Sequence, residues 1–269
     1  MALIVAAVFW TWLWGWAGLL LSTPLTVCLV VIGKYIPQLN FLHILLGDEP
    51  VLSPSERLYQ RLLGSDLEEV DVLLQEEFKD EPVENISETM LFPVLHLIEQ
   101  DFFMGSLDDA RYDVVMEKMK EVILQVSGLP ESNHKSPGVQ GSLVLCLASR
   151  VVGDEAASMI FAALLQKRGI DAQWVSVDSL AGELLHLVEN QSPVAICISA
   201  LPPNAVNHAK YLCKRLRSRF AKLPLLVGLW ESTVELERTS EILIEAGADR
   251  VVRVPAEGVA QVQHWIAQN

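Results

Sequence analysis

The chain has 269 residues, 51% of them hydrophobic, and a formal charge of −14. That length and apolar content exclude a disordered chain and leave room for a membrane segment and one or two packed soluble domains. The acidity belongs to the middle third, where residues 51–140 hold 19 acidic and 7 basic side chains. Nucleic-acid binding is therefore disfavoured, and this part should stand off an anionic bilayer. Solvated helix faces are the simplest account of the charge.

The first element is an uncharged run of thirty-two residues, Ala2 to Gly33, closed by Lys34. About 20 apolar residues suffice for one membrane helix, so a span from about Leu3 to Leu21 is expected. No basic n-region precedes the run and no small-x-small cleavage site comes after it, which argues against a signal peptide. Trp10, Trp12, Trp14 and Trp16 suit the headgroup level. Ser22, Thr23 and Pro24 interrupt the run, predicting a break and a second short apolar helix from Pro24 to about Tyr35. Lys34, Arg57 and Arg61, with no basic residue on the N-terminal side, place the C-terminal domains in the cytoplasm and make this an inner-membrane protein. Cys28, Cys146, Cys197 and Cys213 show no CxxC and no metal-ligand spacing, and read as small buried hydrophobes in a reducing compartment.

The string FWTWLWGWAGLLLSTPLTVCLVVIGKYIPQL resembles the last membrane segment of the autoinducer-2 exporter family of permeases. The matching positions are Trp14-Gly15, Gly18 and Thr23-Pro24-Leu25-Thr26, and the resemblance covers about the first 40 residues. It implies a membrane protein whose partners are the lipid bilayer and the remaining helices or subunits of a permease.

Residues 1–37 are thus the membrane segment and short second helix, and 38–52 a connector with Gly47 and Pro50. Ser53, Pro54 and Glu56 form a capping-box start for a helix. Apolar residues then recur every three or four positions, in groups around Leu58, Val70, Leu95 and Met119, with breaks at Gly64-Ser65, Lys79 to Pro82 and Gly105-Ser106. Four amphipathic helices in a bundle over 53–128 are predicted. His96 and Glu99 lie one turn apart, but two side chains make no metal site and a helix-face pair is the better reading.

This bundle resembles the helical module that precedes cobalamin-binding domains in light- and cobalamin-dependent regulators and corrinoid proteins, through Leu91-Phe92-Pro93-Val94-Leu95 and Gly105. In that family a Trp before the Gly and a Glu-His pair after it approach the cofactor. Here the resemblance puts Phe102 or Phe103 and Tyr112-Asp113 at those positions.

Residues 129–141, rich in Pro, Gly and Ser, read as a linker. From 142 to 269, five apolar strands alternate with helices: LVLCLA, AQWVSV, VAICIS, PLLVGL and DRVVRV. This predicts a doubly wound, flavodoxin-like parallel sheet. In such sheets ligands bind beyond the carboxyl ends of the strands, here the loops 149–154, 199–204 and 228–232. The loops resemble those of cobalamin-binding domains, whose signature is Asp-x-His-x-x-Gly, Ser-x-Leu and Gly-Gly. The matching positions hold Asp154, Ser199-Ala200-Leu201 and Gly228-Leu229, so Asp154, Ser199, Leu201 and Gly228 are the expected ligand-facing residues. The cobalt-ligating His is replaced by Ala156, and the Gly that admits the nucleotide tail by Met159. No cofactor is therefore expected.

No phosphate loop, GxSxG elbow or ordered Ser-His-Asp set is present, so no enzyme is expected. The basic residues Lys210, Lys214, Arg215, Arg217, Arg219 and Lys222 read as a solvated helix with the acidic bundle as electrostatic partner. Trp230 is either a pocket wall or a packing residue. The functional expectation is the C-terminal part of a permease-like protein carrying a regulatory or interaction domain. The alternative is a membrane-tethered sensor of a small ligand, such as a corrinoid, in the α/β crevice.

Overall fold

The computed structural model of the chain describes residues 2–22, 52–64, 70, 72–74, 81–129, 143–177, 181–202, 205–230 and 236–268. It divides into two units, Met1–Ser53 and Pro54–Asn269.

In the first unit, α1 covers Ala2–Trp14. It does not continue to Leu21 as expected. Gly15 takes a left-handed φ of 64°, open to glycine without strain, and ends it. Residues 16–22 are again helical. At 1.5 Å per residue, α1 is about 20 Å long, short of a hydrocarbon core of about 30 Å. Among the described residues no helix is long and apolar enough to cross a membrane. The break at Pro24, the second apolar helix and most of the 38–52 connector lie outside the described residues.

The second unit begins with α2, Pro54–Gly64, which buries Leu58, Tyr59 and Leu62. Val70 and residues 72–74, where the second bundle helix is expected, are helical. Next come α3, Val83–Ile86, a π-helical turn, Ser87–Leu91, and α4, Phe92–Phe103. The wide turn follows from Pro93, which has no N–H for the carbonyl one turn earlier and would clash with it. The N–H of Phe92 instead reaches back five residues to the Ser87 carbonyl. Helix α5, Asp109–Ser127, starts on the Asp108 side chain, which accepts the Arg111 N–H at 2.8 Å, and ends at Gly128 with φ 68°.

The sheet strands are β1 Val144–Ala148, β2 Ala172–Val175, β3 Ala195–Ala200, β4 Leu225–Leu229 and β5 Arg250–Val252. All pairs are parallel, in the order β2-β1-β3-β4-β5. The connecting helices are α6 Val152–Lys167, α7 Ala181–Gln191, α8 Ala205–Arg219 and α9 Leu236–Glu245, and α10 Pro255–Gln268 closes the unit. Alternate strand residues face opposite cores. Leu145, Ile196, Ile198 and Val227 join residues of α7, α8 and α9. Cys146, Cys197 and Leu226 join α6, α10 and the bundle in one continuous core. Cys146, Cys197 and Cys213 are buried free thiols, in keeping with their reading as small hydrophobes.

Two of the basic residues of α8, Arg217 and Arg219, are engaged away from the acidic bundle. Arg217 donates to the carbonyls of Phe220, Ala221, Leu223 and Gly247 and pairs with Asp249 at 2.7 Å, closing the end of its own helix. Arg219 pairs with Glu189 of α7 at 2.6 Å.

Candidate functional site

The order of the strands reverses between β1 and β3, and this is where doubly wound sheets keep their ligand crevice. The four expected residues meet there. Asp154, in the first turn of α6, is 1% exposed. One of its carboxylate oxygens accepts from Ser149 Oγ at 2.6 Å and from the N–H groups of Arg150 at 2.9 Å and Val151 at 3.1 Å. The other accepts the Leu201 N–H at 2.8 Å. The Ser149 N–H donates to the Ser199 carbonyl at 3.0 Å, and Ser199 stands opposite Gly228 in the β3–β4 register. Asp154 thus fastens the β1–α6 loop to the loop after β3. Burial pushes its carboxyl above the ordinary range, while the hydroxyl and backbone donors oppose that rise.

A second carboxylate reaches the same helix start from the bundle. Glu99 of α4, 6% exposed, accepts the Tyr112 hydroxyl of α5 at 2.5 Å. A Cβ on Gly153 would lie 2.0 Å from its Oε1, so only glycine permits this approach. Burial raises the Glu99 pKa to about 7; the Tyr112 hydroxyl and the Gly153 N–H oppose the rise, and the charge of Asp154 adds to it. Burial and the neighbouring Glu99 push the Tyr112 phenol well above its usual range. Tyr112 also stacks on Phe102 at 4.1 Å. Of the family positions suggested for cofactor contact, Phe102 or Phe103 and Tyr112-Asp113, Phe102 and Tyr112 therefore contact one another.

A third acid, Glu155, is 5% exposed and accepts Lys120 Nζ at 2.6 Å, Ser176 Oγ at 3.1 Å and the Val177 N–H at 2.7 Å. Lys120 thereby ties α5 to α6, and Glu155 ties α6 to the segment that follows β2.

The floor of the crevice is filled by aromatic rings. Trp230, 1% exposed, packs against Phe92 of the bundle at 5.3 Å and Phe161 of α6 at 5.1 Å between ring centroids. Its ring covers Gly228, where an added Cβ would lie 1.9 Å from the indole. Ala156 is fully buried and Met159 is 1% exposed. Of the two readings of Trp230, packing is the one the geometry gives. Ser199 Oγ and Trp230 Nε1 are buried without a hydrogen-bond partner among the described residues.

Strand order in the sequence brings Asp154, Ser199, Leu201 and Gly228 together. Sequence reasoning misses Glu99, which reads as a helix-face partner of His96, and it misses Tyr112, Lys120 and Glu155 as ties between the bundle and the sheet. The available signal is the spacing of Glu99 among the buried positions Leu95 and Ile98 of α4. Among the described residues no group of His, Cys, Asp and Glu could hold a metal ion. A pocket of about 360 Å³ lies elsewhere, between α3 and its π-helical turn, the end of α6 and α10. Glu84, Glu88, Arg168 and Gln263 are among its walls.

The chain is similar to the monomethylamine corrinoid protein of Methanosarcina barkeri, with 17% identity, a TM-score of 0.51, and coverage of 78% of this chain and 96% of the other. A match to the methanol:cobalamin methyltransferase complex MtaBC of the same organism has 17% identity and a TM-score of 0.36, covering 80% and 81%. A match to a cobalamin-binding protein of Desulfitobacterium hafniense has 13% identity and a TM-score of 0.39, covering 78% and 97%. No protein-family model and no curated protein matches the sequence. What the likeness to the monomethylamine corrinoid protein shows is the fold, a helical bundle followed by a five-stranded parallel α/β sheet.

Proposed function

We propose that residues 54–269 are a corrinoid-protein-like module that works without cobalt ligation. In this reading they are the regulatory or interaction domain of a membrane-attached, permease-like protein. The observation that carries the proposal is the self-filled crevice. Ala156 offers cobalt no lone pair, Trp230 lies over Gly228, and Asp154, Glu99 and Glu155 spend their oxygens on the protein's own donors. A histidine-ligated corrinoid does not fit these residues. The membrane part rests on the uncharged run and its Trp, Gly and Pro positions, and the cytoplasmic placement on Lys34, Arg57 and Arg61.

A second reading, a sensor of a small ligand held without histidine, draws on Ser199 Oγ and Trp230 Nε1. Among the described residues, both are buried polar atoms with no hydrogen-bond partner. The first reading expects the coding DNA upstream of Met1, read in the same frame, to encode further apolar spans. An in-frame stop codon followed by a ribosome-binding site close to Met1 would defeat its permease part.

A further inference from the structure

We infer that residues 2–22 form a membrane hairpin whose tryptophan-lined bend sits at headgroup level, with both arms entering the bilayer from the same face. This rests on the membrane-attached reading above and replaces a single straight span with a folded one. The bend is Gly15, in the left-handed conformation. Beyond it the Gly18 N–H donates to the Gly15 carbonyl at 3.0 Å. A Cβ on Gly18 would lie 1.9 Å from the Trp10 carbonyl oxygen. In one continuous helix, residues eight apart are separated by about 12 Å along the axis. The second arm therefore turns back against the first, and glycine at 18 lets the backbones touch, as small residues do between membrane helices.

The surface of the hairpin suits lipid. No residue from 2 to 22 is charged. The two hydroxyls in the segment are spent on their own helices, Thr11 Oγ1 donating to the Ala7 carbonyl at 2.6 Å and Ser22 Oγ to the Leu19 carbonyl at 2.8 Å. Hydrocarbon requires such internal satisfaction. Val8, Trp12, Trp16 and Leu20 are 65–81% exposed. In aqueous solution that surface would be a large uncovered apolar patch. All four tryptophans fall within five residues of Gly15. Indoles favour the headgroup level, so the bend belongs at the interface. The arms, aliphatic at Ala2 to Val8 and at Leu19 to Leu21, point into the hydrocarbon. A straight span from Leu3 to Leu21 would instead centre near Trp12 and hold the indoles in the bilayer core.

The test uses the full chain with Cys28→Ser, reconstituted in vesicles of phosphatidylcholine and phosphatidylglycerol. Single spin labels are placed through Ile4→Cys, Trp14→Cys and Leu21→Cys, and flotation of each variant is checked first. The hairpin predicts a label at 14 relaxed by a water-soluble nickel complex, with labels at 4 and 21 shielded from it and relaxed by dissolved oxygen. The opposite pattern in protein that floats, with 14 shielded and 4 and 21 accessible, overturns the hairpin and leaves membrane attachment standing. Protein that does not float overturns both.

Discussion

Replacing Trp230 with alanine is expected to cost about 3–5 kcal/mol, the usual range for emptying a large aromatic site in a core. Trp230 is almost wholly buried and joins three parts of the second unit: the bundle through Phe92, α6 through Phe161, and the sheet through Gly228. Its indole nitrogen has no hydrogen-bond partner among the described residues, so the expected cost is one of packing. Urea denaturation of residues 54–269 measures the change. Because the removed group is a flat bicyclic ring between two other rings, free indole should enter the vacated space and recover part of the loss. A cost below about 1 kcal/mol, with no response to indole, would mean that the crevice is not packed as the geometry requires.

The second large effect is on pH. Glu99 has a folded-state pKa of about 7 against an ordinary 4.5. A carboxylic acid whose pKa is raised on folding holds its proton more tightly in the folded state. The destabilisation from its ionisation is absent below the ordinary value, grows as the pH rises, and is complete above the folded value. Stability should therefore fall between about pH 4.5 and pH 7 by up to about 3 kcal/mol, at 1.36 kcal/mol per unit. Neighbouring Asp154, also pushed upward by burial, adds a slope of the same sign. Glu99→Gln, which keeps the shape and an acceptor for the Tyr112 hydroxyl, should flatten most of this slope. Tyr112→Phe removes a donor that favours the charged form, so the fall should extend to higher pH. Denaturation midpoints between pH 4.5 and pH 8 measure all three proteins, and an unaltered slope in Glu99→Gln would remove Glu99 as its source.

Both effects arise where the bundle meets the sheet, and this is where the sequence is least legible. The sheet itself can be read directly: apolar runs such as VAICIS, separated by helical periods, specify a parallel sheet buried on both faces. The order of loops then places Asp154, Ser199, Leu201 and Gly228 at one edge. Periodicity, however, identifies which face of a helix is buried and not what it meets. Glu99 looks like a surface charge because its partners, Tyr112 and Gly153, lie 13 and 54 positions away in sequence. Trp230 is ambiguous for the same reason, since Phe92 and Phe161 come from separate elements. In the first unit, hydropathy counts enough residues for a span, but one backbone angle at Gly15 divides the run. The contribution of Arg217 is hidden by composition: in a row of six basic residues on and just beyond α8, nothing singles out the one that reaches forward to the carbonyls beyond the helix end.

In the proposed function the crevice at the β1–β3 switch point is occupied by the protein's own side chains and ligates no cobalt. This is tested most directly by titrating purified residues 54–269 with hydroxocobalamin and following the visible spectrum and the tryptophan fluorescence together. An unchanged cobalamin spectrum and no saturable fluorescence change at high micromolar concentration are expected. A saturable spectral shift in the intact protein that is lost in Asp154→Ala or Ser199→Leu would contradict the proposed function.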